Sequence, residues 1–253
     1  MADVSNSYCL NVLQKNKQVK IRFFIKKECR KATLLTRFIV VSGIVLLGYL
    51  MLINVYRFLT VNKTVDTKTM VIEGWVDDNV LDEALDYYRK NGFNKLIVTG
   101  LPVTKRRLFS YFKNTAQLAA AQIKNSGFTD TVYQAVIPKG ILIDRTFNTA
   151  IAVKILFDEH PGWEKSFLIY SEGTHSRRTK LMFDKVFGDD FSIGIIAGKE
   201  KIFDSKHFWR TSKGFRTVTN EFVAYLWVYL FFHPDIDESV KKFKELKMRE
   251  NPE

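Results

Sequence analysis

The stretch Ser166–Gly188, SFLIYSEGTHSRRTKLMFDKVFG, decides the fold. Its first five residues, Ser166–Tyr170, form a short, almost continuously apolar run, as in a strand buried on both faces. Ser176–Phe187 then has the spacing of an amphipathic helix and stops at Gly188, a helix-ending residue. Between them lies a compact turn with one glycine, hydroxyls and an imidazole, and two guanidiniums follow in the first turn of the helix. Strand, polar turn and helix in this order are half of a βαβ unit.

The same alternation extends on both sides. Upstream, Lys68–Ile72 reads as a strand and Asn79–Asn91 as a helix ending at Gly92. Lys95–Thr99 (KLIVT) is a second strand, Thr115–Asn125 a helix, Val132–Ile137 a third strand broken by Pro138, and Asn148–Asp158 a helix. Downstream, Phe191–Ile196 is a fifth strand and Thr217–Phe232 a very apolar helix. Strands alternating with helices imply right-handed crossovers and a parallel sheet with helices on both faces. The expected fold is therefore α/β, a Rossmann-like sheet of about five strands. The last helix contains EFVAYLWVYLFF, too short for a second membrane span. It fits core packing, with a place against a membrane surface as the alternative. Pro234–Glu253 reads as a charged tail or loose helix.

One transmembrane helix is expected ahead of this domain. Phe38–Tyr56 carries no formal charge over 19 residues and is bracketed by Arg37 and Arg57. As a helix it would cover roughly 28 Å, close to the hydrocarbon thickness of a bilayer. No small-residue cleavage site follows it, which argues against a removable signal peptide. Residues 1–37 form a basic arm, with nine Lys or Arg against Asp3 and Glu28, so this arm carries +7 of the chain's +12. A nucleic-acid-binding protein would place its basic excess on the folded domain, so no nucleic-acid partner is expected. Basic residues before an apolar span instead predict a cytoplasmic N-terminus. The chain then reads as a basic arm (1–37), a span (38–57), an α/β domain (66–233) and a tail (234–253). It would sit in the inner (cytoplasmic) membrane, with the lipid bilayer as partner and the domain outside. Because the pattern begins at Lys68, a chain starting near Asn62 is expected to fold alone. Cys9 and Cys29, both in the arm, are the only cysteines and leave the compartment open.

In a parallel sheet, ligands bind beyond the carboxyl ends of the strands. That directs attention to Glu73-Gly74-Trp75, Thr99-Gly100, Asp144–Thr149 and Ser171–Arg178. Gly74, Gly100 and Gly173 allow tight turns and close backbone approach. The Ser171–Arg178 turn suits a phosphate or carboxylate; the competing reading is a capped helix start with a solvated arginine and a surface histidine. Glycine-rich nucleotide loops, nucleophile elbows and zinc-ligand patterns are absent from the sequence. No metal site can be assembled, and the cofactor is unknown. His160 and His233 read as turn residues, and His207 lies beside Trp209 and Arg210.

Taken in order, EGW after the first strand, TG after the second, DRTFNTA opening the third helix and YSEGTHSRRTKLMF after the fourth strand resemble the YdcF/SanA/ElyC-like domain of bacteria. The resemblance covers about Lys68–Phe232. The family's S-x-N-T motif matches Thr146-Phe147-Asn148-Thr149. Its T-S-x-x-H-x-x-R-A motif matches the run with Ser171, His175 and Arg178, with Thr179 for the alanine and one extra residue in the turn. One glycine at Gly74 stands where the family has a glycine-rich turn, and Thr99-Gly100-Leu101 stands for Ser-Gly-Gly. The resemblance implies a single-anchor envelope protein tied to barrier function or to wall and polysaccharide metabolism. The expected ligand is an anionic small molecule, nucleotide-like or an envelope precursor. The expected site is Gly74, Thr99, Gly100, Asn148, Thr149, Ser171 and Arg178 around the ligand, with His175 as acid or base. The alternative is a non-catalytic sensor or docking factor using the same site. Arg177, turned about 100° from Arg178 on a helix, is expected in solvent or against lipid.

Overall fold

The computed structural model describes residues 33–103, 111–141 and 143–250. Most of the basic arm, with Cys9 and Cys29, lies outside the described residues. Five parallel strands, β1 (Thr69–Glu73), β2 (Lys95–Gly100), β3 (Val132–Val136), β4 (Ser166–Glu172) and β5 (Ser192–Gly198), form one sheet in the order β3-β2-β1-β4-β5. The expected Rossmann-like α/β architecture is thus present. The helices are α1 (Leu34–Leu59), α2 (Asp78–Lys90), α3 (Thr115–Asn125), α4 (Arg145–Asp158), α5 (Ser176–Phe187), α6 (Ser212–Phe231) and α7 (Ile236–Glu250).

Side chains alternate across each strand, and this alternation sorts the core into two layers. Met70, Ile72, Leu96, Val98, Leu168 and Tyr170 pack with Leu81, Leu85, Ala116 and Ile123 of α2 and α3. Val71, Ile97, Phe167 and Ile169 face α4 and α5, where Ile151, Phe157, Phe183 and Phe187 complete an aromatic-rich layer. Phe167 meets Phe157 and Phe187 at ring separations of 5.2 and 5.0 Å. Each such fully buried side chain contributes about 2–3 kcal/mol of burial energy. By the same alternation Glu73, Thr99 and Ser171, at the carboxyl ends of their strands, belong to the α4–α5 face.

Several boundaries differ from the sequence reading for local reasons. Strand β4 runs two residues further, to Glu172, because Ser171 and Glu172 pair with Ala197 and Gly198 of β5. Helix α4 starts at Arg145 rather than Asn148, launched by Asp144 in the left-handed region (φ 48°, ψ 42°). Asp tolerates this conformation better than most non-glycine residues. Helix α6 begins at Ser212, where the Thr211 hydroxyl accepts from the Gly214 amide. The segment expected to be a charged tail or loose helix forms α7, and Phe243, 1% exposed, joins the α4–α5 layer.

Helix α1 spans 26 residues and is long and apolar enough to cross a membrane. It is unbroken past the expected end of the span. Leu50–Leu59 belongs to the same compact unit as the sheet. Leu59 is fully buried with Phe203, Phe208 and Val218, and Leu52, Val55 and Tyr56 pack around them. The Asn62 side chain accepts from the Ala197 amide, and Lys63 bridges to Ile195. The α/β domain therefore packs on Leu59 and its neighbours, residues that precede Asn62.

Candidate functional site

The order of strands reverses between β1 and β4, each of which has its sequence neighbour on its outer side. At such a switch point the loops leave in opposite directions and open a crevice at the carboxyl edge. Glu73 ends β1 at one lip. At the other, a 3₁₀ turn over Gly173–His175 follows β4 and runs directly into α5. His175 is thereby set in the crevice with only 7% of its surface exposed.

Five side chains surround the imidazole. Nε2 lies 3.7 Å from Glu73 Oε1 and 3.5 Å from Thr146 Oγ1. Nδ1 lies 2.9 Å from Arg178 Nη2 and 3.2 Å from Glu221 Oε2. The Trp75 ring meets it edge-on at 4.9 Å. A ring nitrogen either donates or accepts, so Nδ1 serves Arg178 or Glu221 but not both at once. Unprotonated, it accepts from the guanidinium; protonated, it donates to the carboxylate. Moving a proton thus exchanges one partner for the other with little motion of heavy atoms, a useful property in an acid–base group.

Glu73 is 1% exposed and is held by two hydroxyls: Ser171 donates at 2.5 Å and Thr179 at 3.2 Å. Arg178 grips Glu221 with a planar fork, Nε to Oε2 at 2.9 Å and Nη2 to Oε1 at 3.0 Å, while Nη1 donates to Thr146 at 3.2 Å. The fork expected to meet a ligand is therefore engaged by a carboxylate from α6. Burial opposes ionisation of Glu221, but the hydrogen bonds and charges of His175 and Arg178 outweigh it and hold the carboxyl down at about 2.

These groups open onto a cavity of about 850 Å³, in the range of small-molecule sites. Trp75, Asp144, Arg145, Thr146, Thr149, His175, Arg178 and Glu221 line it, with an apolar wall of Val223, Ala224, Trp227 and Val228 from α6. The opening turn of α4 contributes Arg145 and Thr146, and the Asp144 side chain does not cap that turn. Its first amides are thus available to an anion.

The remaining expected site residues fall into different places. Thr149 lines the cavity. Ser171 braces Glu73. Thr99 is buried, its hydroxyl without a partner among the described residues. Gly74 is required by backbone approach: its amide donates to Thr99 O at 3.0 Å, and a Cβ there would sit 2.2 Å from that oxygen. Gly100 lets α3 start against β2, since a Cβ would meet Ala116 Cβ at 2.6 Å. Asn148 turns its amide back to the Asp144 carbonyl at 3.1 Å, within its own helix start, and does not line the cavity. Arg177 is part-exposed and lies outside the crevice. It stacks on Phe58 at 4.1 Å and donates from Nε to the Phe58 carbonyl at the end of α1.

Glu221 escaped the sequence reading. The signal was present, for it is the sole acid in α6 and stands at the head of the apolar run. Beyond His175 lies a smaller cavity of about 140 Å³, bordered by Glu172, Glu200 and Lys213. Burial and the charges of Glu172 and Asp77 push Glu200 up to about 7. Among the described residues no group of three or more His, Cys, Asp or Glu is placed to hold a metal ion. His160 stacks on Trp163 at 4.2 Å and His207 pairs with Asp204 at 2.7 Å, both away from the crevice. Comparison of the chain with protein-family models, with curated protein sequences and with solved structures returned no match.

Proposed function

We propose that this chain is a membrane-anchored protein whose switch-point cavity binds a ligand bearing a phosphate-like anion, with His175 donating or accepting a proton on it. The observation that carries this reading is the His175–Arg178–Glu221 arrangement beside an uncapped α4 start. Arg145, the Nη1 edge of Arg178, Thr146 and Thr149 are donors suited to an anion's oxygens. An anion arriving at the Nη1 edge takes the place of the Thr146 hydroxyl and draws the guanidinium off Nδ1, which leaves Glu221 to accept the Nδ1 proton and poises the imidazole for transfer.

The motif resemblance to the YdcF/SanA/ElyC-like domain and the basic arm support a finer reading: a bacterial inner-membrane protein, N-terminus in the cytoplasm, serving envelope barrier or wall and polysaccharide metabolism. A non-catalytic sensor is the second reading, favoured by the closed Arg178–Glu221 fork, which a ligand would open on binding.

Titration of the full chain with ethyl phosphate tests the first claim. Binding weakened about tenfold in Arg178→Lys, which keeps the charge but loses the planar fork, is expected. Equal binding by both proteins would remove Arg178 from the site. Incubation with phosphate-linked envelope precursors separates the readings: product formed by the natural chain and lost in His175→Asn marks an enzyme, whereas binding without product marks a sensor.

A further inference from the structure

The cavity is chemically two-sided, and its apolar side continues beyond it. Helix α6 supplies Glu221 to the polar network and, two and six residues on, Val223 and Trp227 to the wall. Val223 and Trp227 are nevertheless 59% and 47% exposed, and the next turn continues the strip with Leu230 and Phe231, 55% and 70% exposed. A water-soluble ligand has no use for such a strip: among the described residues Trp227 leans on Phe232 at 5.4 Å, yet the row keeps much of its apolar surface exposed, which marks an interaction surface. The adjoining face of α6 is occupied: Phe222 and Tyr225 pack edge-on against Phe58, at 6.1 and 5.2 Å, where α1 ends. The strip therefore lies on the helix that receives the base of the apolar span.

We infer that the cavity takes an anionic membrane lipid, its phosphate-like head among Arg145, Thr146 and Arg178 and its alkyl chain along Val223, Trp227 and Leu230. This rests on the anion reading above and names the substrate class. The lipid source is the bilayer, because the segment Leu50–Leu59 that leads out of the span is packed on the same helix.

The full chain in phosphatidylcholine nanodiscs is titrated with ethyl, butyl and octyl phosphate, free ligand being measured by dialysis. Each buried methylene strengthens binding about fourfold, so octyl phosphate is expected to bind at least about 100-fold more tightly than ethyl phosphate. Trp227→Gln and Val223→Asn, both at partly exposed positions, are expected to flatten the dependence on chain length. Doping the nanodiscs with phosphatidic acid is expected to displace octyl phosphate. A flat series with ethyl phosphate still bound overturns the lipid inference and leaves the anion reading intact. A rise that persists in both variants, or octyl phosphate indifferent to phosphatidic acid, also overturns it. Failure of every alkyl phosphate to bind removes the anion reading and this inference together.

Discussion

The run His175–Arg178, where the 3₁₀ turn enters α5, serves two regions with different residues. His175 and Arg178 face the crevice and close a network with Glu73, Thr146 and Glu221. Ser176 and Arg177, between them, face the end of α1: the Ser176 hydroxyl donates to the Leu59 carbonyl at 3.1 Å and accepts from the Val61 amide at 2.9 Å. Arg177 covers the Phe58 ring and its carbonyl. Residues three apart share a helix face, and adjacent ones do not. One face holds charged groups whose partners can change with a proton or a ligand. The other caps carbonyls and buries apolar carbon, and so holds its geometry. The difference teaches that adjacent arginines in a motif can have unrelated duties, one in the crevice network and one in holding the end of α1.

The largest effect is expected on the anchor side. Leu59→Ala removes a fully buried side chain from the small cluster between α1 and α6, and should cost about 3 kcal/mol. Thermal unfolding of the full chain in detergent would measure it, and ethyl phosphate binding by the folded fraction should not change. A loss of binding there would mean that the two faces are coupled.

On the crevice side, Arg178→Ala leaves the largely buried Glu221 without its fork and should cost about 2–3 kcal/mol, besides weakening the ligand. Its signature is pH dependence. Glu221 is held below its ordinary value, so its stabilisation is fully present above about pH 4.5 and is lost as pH falls toward 2. Unfolding measured from pH 5 to 3 should show this acid loss in the natural chain and much less of it in Arg178→Ala. Identical slopes would show that Glu221 draws little from Arg178.

Glu200 works in the opposite sense. Its carboxyl is raised to about 7 by burial first and then by Glu172 and Asp77, so ionising it opposes folding. Stability should therefore fall as pH rises from about 4.5 through 7. Glu200→Gln should relieve this, adding about 1 kcal/mol at pH 8 once solvent screening is allowed for, with no gain at pH 4. A gain that does not vary with pH would exclude the carboxylate's charge as the cause. Smallest of all, Arg177→Ala should cost about 0.5–1 kcal/mol through the lost stacking on Phe58 and leave phosphate binding unchanged. Weakened binding in that variant would mean that the two arginines share one duty.

The sequence by itself determined the succession of strands and helices, because side-chain periodicity is local: a period of two marks strands, and spacings of three and four mark helices. The interior run of Thr115–Asn125 and the helix Ser176–Phe187 coincide with α3 and α5 for that reason. It also pointed to the carboxyl-edge segments, since a parallel sheet sends its strand ends the same way. Tertiary structure alone decided which of their residues meet. The strand order places β1 beside β4, so Glu73 reaches Ser171 and His175 from about a hundred positions earlier in the chain. Packing of α6 beside α5 brings Glu221 to Arg178, and no local spacing encodes an encounter 43 residues apart. Gly74 and Gly100 show the same limit: a glycine marks a position where a side chain does not fit, and only the neighbouring Thr99 carbonyl and Ala116 reveal that backbone and helix, rather than a ligand, occupy the space.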